Sequence, residues 1–226
     1  MQQIALDIGL VPVPTFDNFF TGPNAAVVEQ LQSWLSPQVA GVAPLTAYLW
    51  GPQGSGKSHL LQAACDQWRA QGHGVGRMDA HTGEACTFDE RWAAVVLDDV
   101  DGYTPAQQQL AFSWFVQAHT LQRPVLAAGL VAPTLLTLRE DLRTRLGWGH
   151  VLGLDLLSDA QTRVALRQAA DARGLALSDE VMDFTLRRFS RDLGSLMQLL
   201  DTLDRYALQT QRALTIPLVK SMLENA

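Results

Sequence analysis

Cysteine is scarce in this chain. Cys65 and Cys86 are the only two in 226 residues, and they are too far apart for a C-x-x-C pair. That spacing suggests neither a disulfide framework nor a zinc site, and each reads as an ordinary half-buried thiol. Long apolar runs are also missing: none nears the roughly 18 residues of a spanning helix. The N-terminus shows no basic segment leading into an apolar one, so a soluble cytoplasmic chain without membrane contact is expected. Basic residues are too few for a nucleic-acid surface. Seventeen Lys and Arg stand against 23 Asp and Glu, for a net charge of −6 with no basic cluster. Affinity for nucleic acid comes mainly from phosphate neutralisation, so no direct DNA binding is expected. Internal repeats and low-complexity segments are absent as well.

What is present is a phosphate-binding motif in its proper context. Gly51-Pro52-Gln53-Gly54-Ser55-Gly56-Lys57-Ser58 satisfies G-x-x-x-x-G-K-[ST] at every fixed position. The apolar run Thr46–Trp50 precedes it as a short strand, and His59-Leu60-Leu61-Gln62-Ala63-Ala64 follows with helix-forming composition. Strand, loop and helix in that order are what the motif requires. Its glycines let backbone N–H groups turn toward phosphate oxygens, and the helix N-terminus adds a favourable dipole. Lys57 suits the β- and γ-phosphates, and the Ser58 hydroxyl suits Mg²⁺.

Around the motif, apolar runs alternate with helical patterns. Helices are expected near 24–35, 57–71 and 105–121. Strands are expected near 45–50, 74–79, 93–97, 124–128 and 151–156. The strands are continuous apolar runs without alternation, as when helices cover both faces of a sheet. A doubly wound, mainly parallel α/β sheet follows. Beyond Leu156 the strands stop, and Ser158, Ser178 and Ser190 each offer an N-cap before an apolar-periodic stretch. Residues 157–226 therefore read as a small helical domain, 14–156 as the α/β domain and 1–13 as a tail. Leu193, Leu196, Leu200, Leu203 and Ala207 form one apolar face there, read as core.

A second acidic motif, Ala94-Val95-Val96-Leu97-Asp98-Asp99, ends an apolar strand in two carboxylates. The first can hold Mg²⁺, and the second can orient or deprotonate an attacking water. Arg145 and Arg191 are candidate phosphate ligands because a guanidinium stays charged and forks onto two oxygens. Spacing alone does not separate either from a surface ion-pair residue.

Several segments together carry a resemblance. Thr15-Phe16-Asp17-Asn18-Phe19, the P-loop through Leu61 and Leu97-Asp98-Asp99-Val100 are three of them. Arg145-Leu146-Gly147-Trp148-Gly149 and Arg191-Asp192-Leu193-Gly194-Ser195-Leu196 complete the set. The chain resembles the AAA+ ATPases of the bacterial replication-initiator group, DnaA and its short Hda-type relatives, over essentially residues 2–226. That resemblance implies an AAA+ P-loop NTPase fold with a small C-terminal helical lid. It implies ADP or ATP with Mg²⁺ as ligands, bound by Gly51 to Ser58, His59 and the lid Arg191. It implies Asp98 and Ser58 at the metal, and Asp99 at the place of the second acid. Arg145 matches an arginine finger acting in trans on a partner's ATP, and Phe16–Phe20 lie where the family lines the adenine pocket. Gln3, Ile4, Leu6 and Ile8 resemble the Hda peptide that binds the polymerase sliding clamp. A DNA-binding domain like that of DnaA is not expected beyond Ala226, in keeping with the acidic charge. The implied partners are DnaA and the clamp, with monomer and homodimer both left open.

The sequence departs from the family in three places. Leu130 offers no hydrogen-bonding side chain where the family usually has a polar residue that senses the γ-phosphate, which argues against self-catalysed hydrolysis. Asp99, where Hda-type chains can carry Asn, argues the other way. Residues 79–92 look too short for the helix often found there. The expected function is negative regulation of replication initiation by stimulating hydrolysis of DnaA-bound ATP. The alternatives are a self-contained ATPase or loader, and a nucleotide-bound clamp adaptor.

Overall fold

The computed structural model describes residues 13–36, 45–83, 85–188, 193–210 and 215–224. Two compact units divide the chain, one of them covering Pro14–Leu156. That unit runs α1 (Ala25–Leu35), β1 (Thr46–Trp50), α2 (Lys57–Ala70), β2 (Gly74–Met78), β3 (Trp92–Leu97), α3 (Pro105–Thr120), β4 (Val125–Gly129), α4 (Glu140–Leu146) and β5 (His150–Gly153). The strands form one sheet in the order β2-β3-β4-β1-β5, and every pairing is parallel. Alternate residues of each strand serve opposite faces. Ala47 and Leu49 of β1 join Leu31, Leu60, Leu61 and Trp68 in one core, which α1 and α2 cover. Tyr48 joins Trp114, Phe115, Leu142 and Leu146 in the other, beneath α3 and α4. Both faces are buried, which explains the unalternating apolar strands.

Local signals fix the element ends. Thr104 caps α3 in a reciprocal capping box with Gln107, and Pro105 occupies the first helical turn, where its missing N–H costs nothing. No helix intervenes between Met78 and Trp92 among the described residues. Two expectations differ from the structure. The segment before the last strand, where no helix is expected, carries the helix α4. Its Glu140 and Asp141 in the first turn and Arg143 and Arg145 in the last complement the helix dipole. β5 stops at Gly153, whose partner Trp50 is the last residue of β1.

The second unit holds α5 (Asp159–Ala172), α6 (Asp179–Arg188), α7 (Leu193–Thr210) and α8 (Ile216–Glu224). Ser158 and Gln161 form a capping box on α5, and Ser178 Oγ accepts from Val181 N at the start of α6. Leu196, Leu200 and Leu203 of α7 are buried with Leu166, Met182 and Val219, so the expected apolar face is core. Arg173, at the end of α5, donates from Nε and Nη2 to Asp201 of α7. Among the described residues, no helix is long and apolar enough to cross a membrane.

Candidate functional site

The loop Gly51–Gly56 leaves the C-terminal end of β1, the side of a parallel sheet where ligands bind. Gly51 N donates to Gly129 O at the end of β4, and Leu154 N donates to Trp50 O. A Cβ on Gly51 would lie 2.3 Å from Leu154 O, so only glycine permits this approach. Gly56 sits at φ +94°, in the left-handed region, and a Cβ there would lie 2.5 Å from Phe19 Cε2. Lys57 and Ser58 open α2 directly after it.

Lys57 is buried, and its Nζ donates to Gly51 O at 2.8 Å and Pro52 O at 3.0 Å. The ammonium thus satisfies itself on loop carbonyls, which phosphate oxygens could replace. Burial pushes its pKa down, against the opposing pull of Asp99, Asp98 and Asp101. Ser55 Oγ is buried in the same loop with no hydrogen-bond partner, an orphan that a ligand oxygen could satisfy. Gln53 and Pro52 are exposed, and Gly54 turns at φ +82°.

Asp98 follows β3 and is buried. Its Oδ1 accepts from Ser58 Oγ at 3.2 Å and from Asp99 N at 3.1 Å. Its Oδ2 accepts from Arg77 Nη2 at 3.3 Å. Burial, with the Asp99 charge second, pushes the carboxyl pKa up, while the Ser58 and Arg77 contacts hold it down. Among the described residues, no group of three or more His, Cys, Asp or Glu could hold a metal. Ser58 and Asp98 nonetheless fit Mg²⁺, which takes one or two protein oxygens and completes its shell with water and phosphate. Asp99 is exposed at φ +50°, a left-handed conformation that a short polar side chain tolerates.

Two site features were missed from sequence. Asp101 Oδ2 accepts from Leu130 N at 2.6 Å, which fixes the end of β4 beside the loop. Arg77, on the neighbouring strand, pairs with Asp98. Asp101 stands in the Asp98-Asp99-Val100-Asp101 run and could have been suspected. Arg77 is visible only once the register is known, because Met78 O accepts from Asp98 N. The Leu130 side chain is exposed and apolar.

The segment Thr15–Phe20 closes one side of the loop. Thr15 and Asn18 exchange side-chain-to-backbone bonds, so the turn is locally fixed. His59 does not point into the loop. Its Nε2 is 2.8 Å from Thr15 O, and its ring meets Phe19 edge-on with centroids 5.3 Å apart. Burial pushes the His59 pKa down. Asn24 exchanges two hydrogen bonds with the Asp155 backbone, tying the start of α1 to the segment just after β5.

Arg145 lies elsewhere on this unit. Its guanidinium carbon stands 5.0 Å over the Phe112 ring and 4.8 Å over the Trp148 ring. Beside it opens a shallow cleft of about 560 Å³, lined by Arg139, Glu140, Asp141, Thr144, Arg145 and Trp148. Arg139 is paired with Asp141 at 2.7 Å, whereas Arg145 rests on neutral rings. Trp148 is more than half exposed. The expected lid arginine, Arg191, and the tail residues Gln3, Ile4, Leu6 and Ile8 lie outside the described residues.

Residues 159–223 match the family described as Hda, lid domain. The fold is similar to domain III of the replication initiator DnaA from Thermotoga maritima, with a TM-score of 0.74 at 19% identity, covering 95% of this chain and 97% of that one. It is similar to AMPPCP-bound DnaA from Aquifex aeolicus, with a TM-score of 0.69 at 21% identity, over 88% of this chain and 67% of that one. A point variant of RuvB from Thermotoga maritima follows, with a TM-score of 0.66 at 18% identity, over 96% and 72% respectively. Residues 159–223 thus match an Hda lid, and the chain has the fold of the DnaA nucleotide-binding module.

Proposed function

We propose that this chain regulates replication initiation by inserting Arg145 into the nucleotide site of ATP-bound DnaA and accelerating hydrolysis there. One observation carries the reading: the Arg145 guanidinium rests on the faces of Phe112 and Trp148 at the rim of an open cleft. A cation held on π-faces keeps its charge available, whereas a carboxylate partner would cancel it. A finger stabilises charge developing on a neighbour's phosphate, so it needs no hydrolysis by the chain that supplies it. In GTPases such a finger is worth about 10³–10⁵ in rate.

The chain's own P-loop then serves to bind ADP or ATP and order the fold. Gly51–Ser58 cradle the phosphates, Lys57 pairs with them, and Ser58 with Asp98 receives Mg²⁺. The metal offsets phosphate charge when it is bound. Binding of AMPPCP by a DnaA of this fold supports an adenine nucleotide. His59 supports the adenine side through Phe19 and Thr15 rather than touching phosphate. Arg191 would close over the nucleotide from the lid. Gln3, Ile4, Leu6 and Ile8 would dock on the sliding clamp as a short extended segment, Gln amide first, with apolar side chains in a pocket. Anchoring there raises the effective concentration of the pair, so a weak direct contact suffices.

The test is phosphate release from DnaA preloaded with labelled ATP, in the presence of clamp on DNA. Stimulation is expected from this protein and none from Arg145→Ala, whose own ADP affinity should be unchanged. Equal stimulation by the variant would remove Arg145 from the mechanism. Gln3→Ala should weaken clamp binding. A second reading, a self-contained ATPase, draws on Asp99, held exposed one residue past Asp98. It requires steady turnover by the isolated chain that is lost in Asp99→Asn.

A further inference from the structure

We propose that Arg77 is a permanent counter-charge to Asp98, which lets the loop hold a nucleoside diphosphate with little help from a divalent cation. The inference rests on the nucleotide-binding reading of the loop and adds what charge balances that site.

The geometry is specific. Among the described residues Asp98 is the one carboxylate hydrogen-bonded to Ser58, and both of its oxygens are already engaged, Oδ1 by Ser58 and the Asp99 amide, Oδ2 by Arg77. The Asp98 side chain is 5% exposed and that of Arg77 32%, so water screens the pair poorly only from the carboxylate side. Arg77 comes from the adjacent strand β2, one register step before Met78, whose carbonyl accepts from Asp98 N. Its guanidinium is also held from α2, because Nη1 donates to Gln62 Oε1, and Gln62 Nε2 in turn donates to Asp66 Oδ2 at 2.9 Å. Arg77 Nε is buried without a partner. The guanidinium is therefore fixed by strand, helix and carboxylate together, unlike an exposed arginine passing near an acid.

That fixed charge has two consequences for a phosphate ligand. An unpaired Asp98 would repel phosphate oxygens and attract a cation between them. Paired with Arg77, it repels the phosphates less and attracts the cation less. Both effects shrink the contribution of Mg²⁺ to nucleotide affinity. The readout is a ratio, the dissociation constant in excess chelator divided by that in Mg²⁺, in which a general loss of folding or affinity cancels.

The probe is a ribose-labelled fluorescent ADP titrated into the full chain with Mg²⁺ and with excess EDTA. The unaltered protein should give a small ratio. Arg77→Gln keeps hydrogen-bonding groups toward Gln62 and Asp98 but loses the charge. It should raise the ratio by about tenfold or more, the scale of one close charge pair at a partly buried site. The rise should come mostly from weaker binding in EDTA. Arg77→Lys should keep the ratio near that of the unaltered protein. Adding Asp98→Asn to Arg77→Gln should bring the ratio back down, because no carboxylate is left to neutralise. A separate titration with Mn²⁺, following the free ion by its paramagnetic resonance, should show the ADP complex of Arg77→Gln holding the metal more tightly. Equal ratios in the unaltered protein and a folded Arg77→Gln would overturn the inference. Failure of the unaltered protein to bind the labelled ADP in either condition would instead overturn the nucleotide reading.

Discussion

The loop at the end of β1 and the face around Arg145 handle charge in opposite ways. At the loop, the two buried charges, Lys57 and Asp98, are both answered. Lys57 bonds to two carbonyls, and Asp98 to a hydroxyl, an amide and a guanidinium. At the α4 face, Arg145 is given two aromatic rings and keeps its charge. Burying a charge is tolerable only when partners replace its water, so the loop is a site whose charges are arranged in advance for a ligand held by its own chain. A guanidinium laid on rings is oriented without being neutralised, the arrangement that suits a ligand belonging to another molecule. One unit thus carries a closed, compensated site and an open, uncompensated one.

Substitutions that should act on only one of these sites test the difference. Lys57→Ala is expected to have the largest effect. Losing a charge-assisted contact to phosphate should weaken ADP binding by roughly a hundredfold, two such bonds' worth. Arg145→Ala should leave ADP affinity within twofold. Isothermal titration of both variants decides it, and a comparable loss in Arg145→Ala would merge the two sites into one.

Gly56→Ala comes next. The added Cβ meets the Phe19 ring at 2.5 Å on a backbone at φ +94°. The cost should be about 1–3 kcal/mol, the range for backbone held in such a region. Denaturant unfolding would read it, and Phe19→Ala in the same chain should recover part of the loss by clearing the ring. On the other face, Phe112→Leu removes one ring beneath Arg145. A loss of about 0.5–1 kcal/mol is expected, a two- to fivefold drop in stimulated phosphate release at unchanged ADP affinity. Phe112→Tyr, which keeps the ring, should behave like the unaltered chain.

How legible each region was follows from how local its chemistry is. The phosphate loop is eight consecutive residues, and its strand-before, helix-after context was readable because glycine turns and helix N-termini act over short range. The parallel sheet was equally readable, since burial on both faces leaves apolar runs such as Ala93–Leu97. α4 was not. It has seven residues, too few to show a period. The Arg77–Asp98 pair depends on β2 lying next to β3 in one particular register, which no single stretch records. Of the rings beneath Arg145, Trp148 stands only three residues on in the same stretch, whereas Phe112 comes from α3 and meets Arg145 only through tertiary packing.

The smallest expected effect ties the two histidines to the two regions. His119 stacks on Phe115 with centroids 4.5 Å apart, meets Trp148 edge-on at 6.0 Å, and has Nε2 3.0 Å from Thr46 Oγ1. Burial pushes its pKa down, and the Arg145 charge pushes it further. His59, beside the loop, is pushed down by burial with no contribution from Arg145. Well above pH 7 both are neutral, folded or unfolded. As pH falls below the ordinary value near 6.5, the unfolded chain takes up its protons first, so stability falls. The loss stops once pH has passed the lowered folded-state values. Arg145→Ala should move the His119 titration, followed by its ring proton resonance, up toward the ordinary value and shorten that window. The His59 titration should stay in place. A shift in both would mean that Arg145 acts through the whole unit, and a shift in neither would take its charge away from the rings that distinguish the open site.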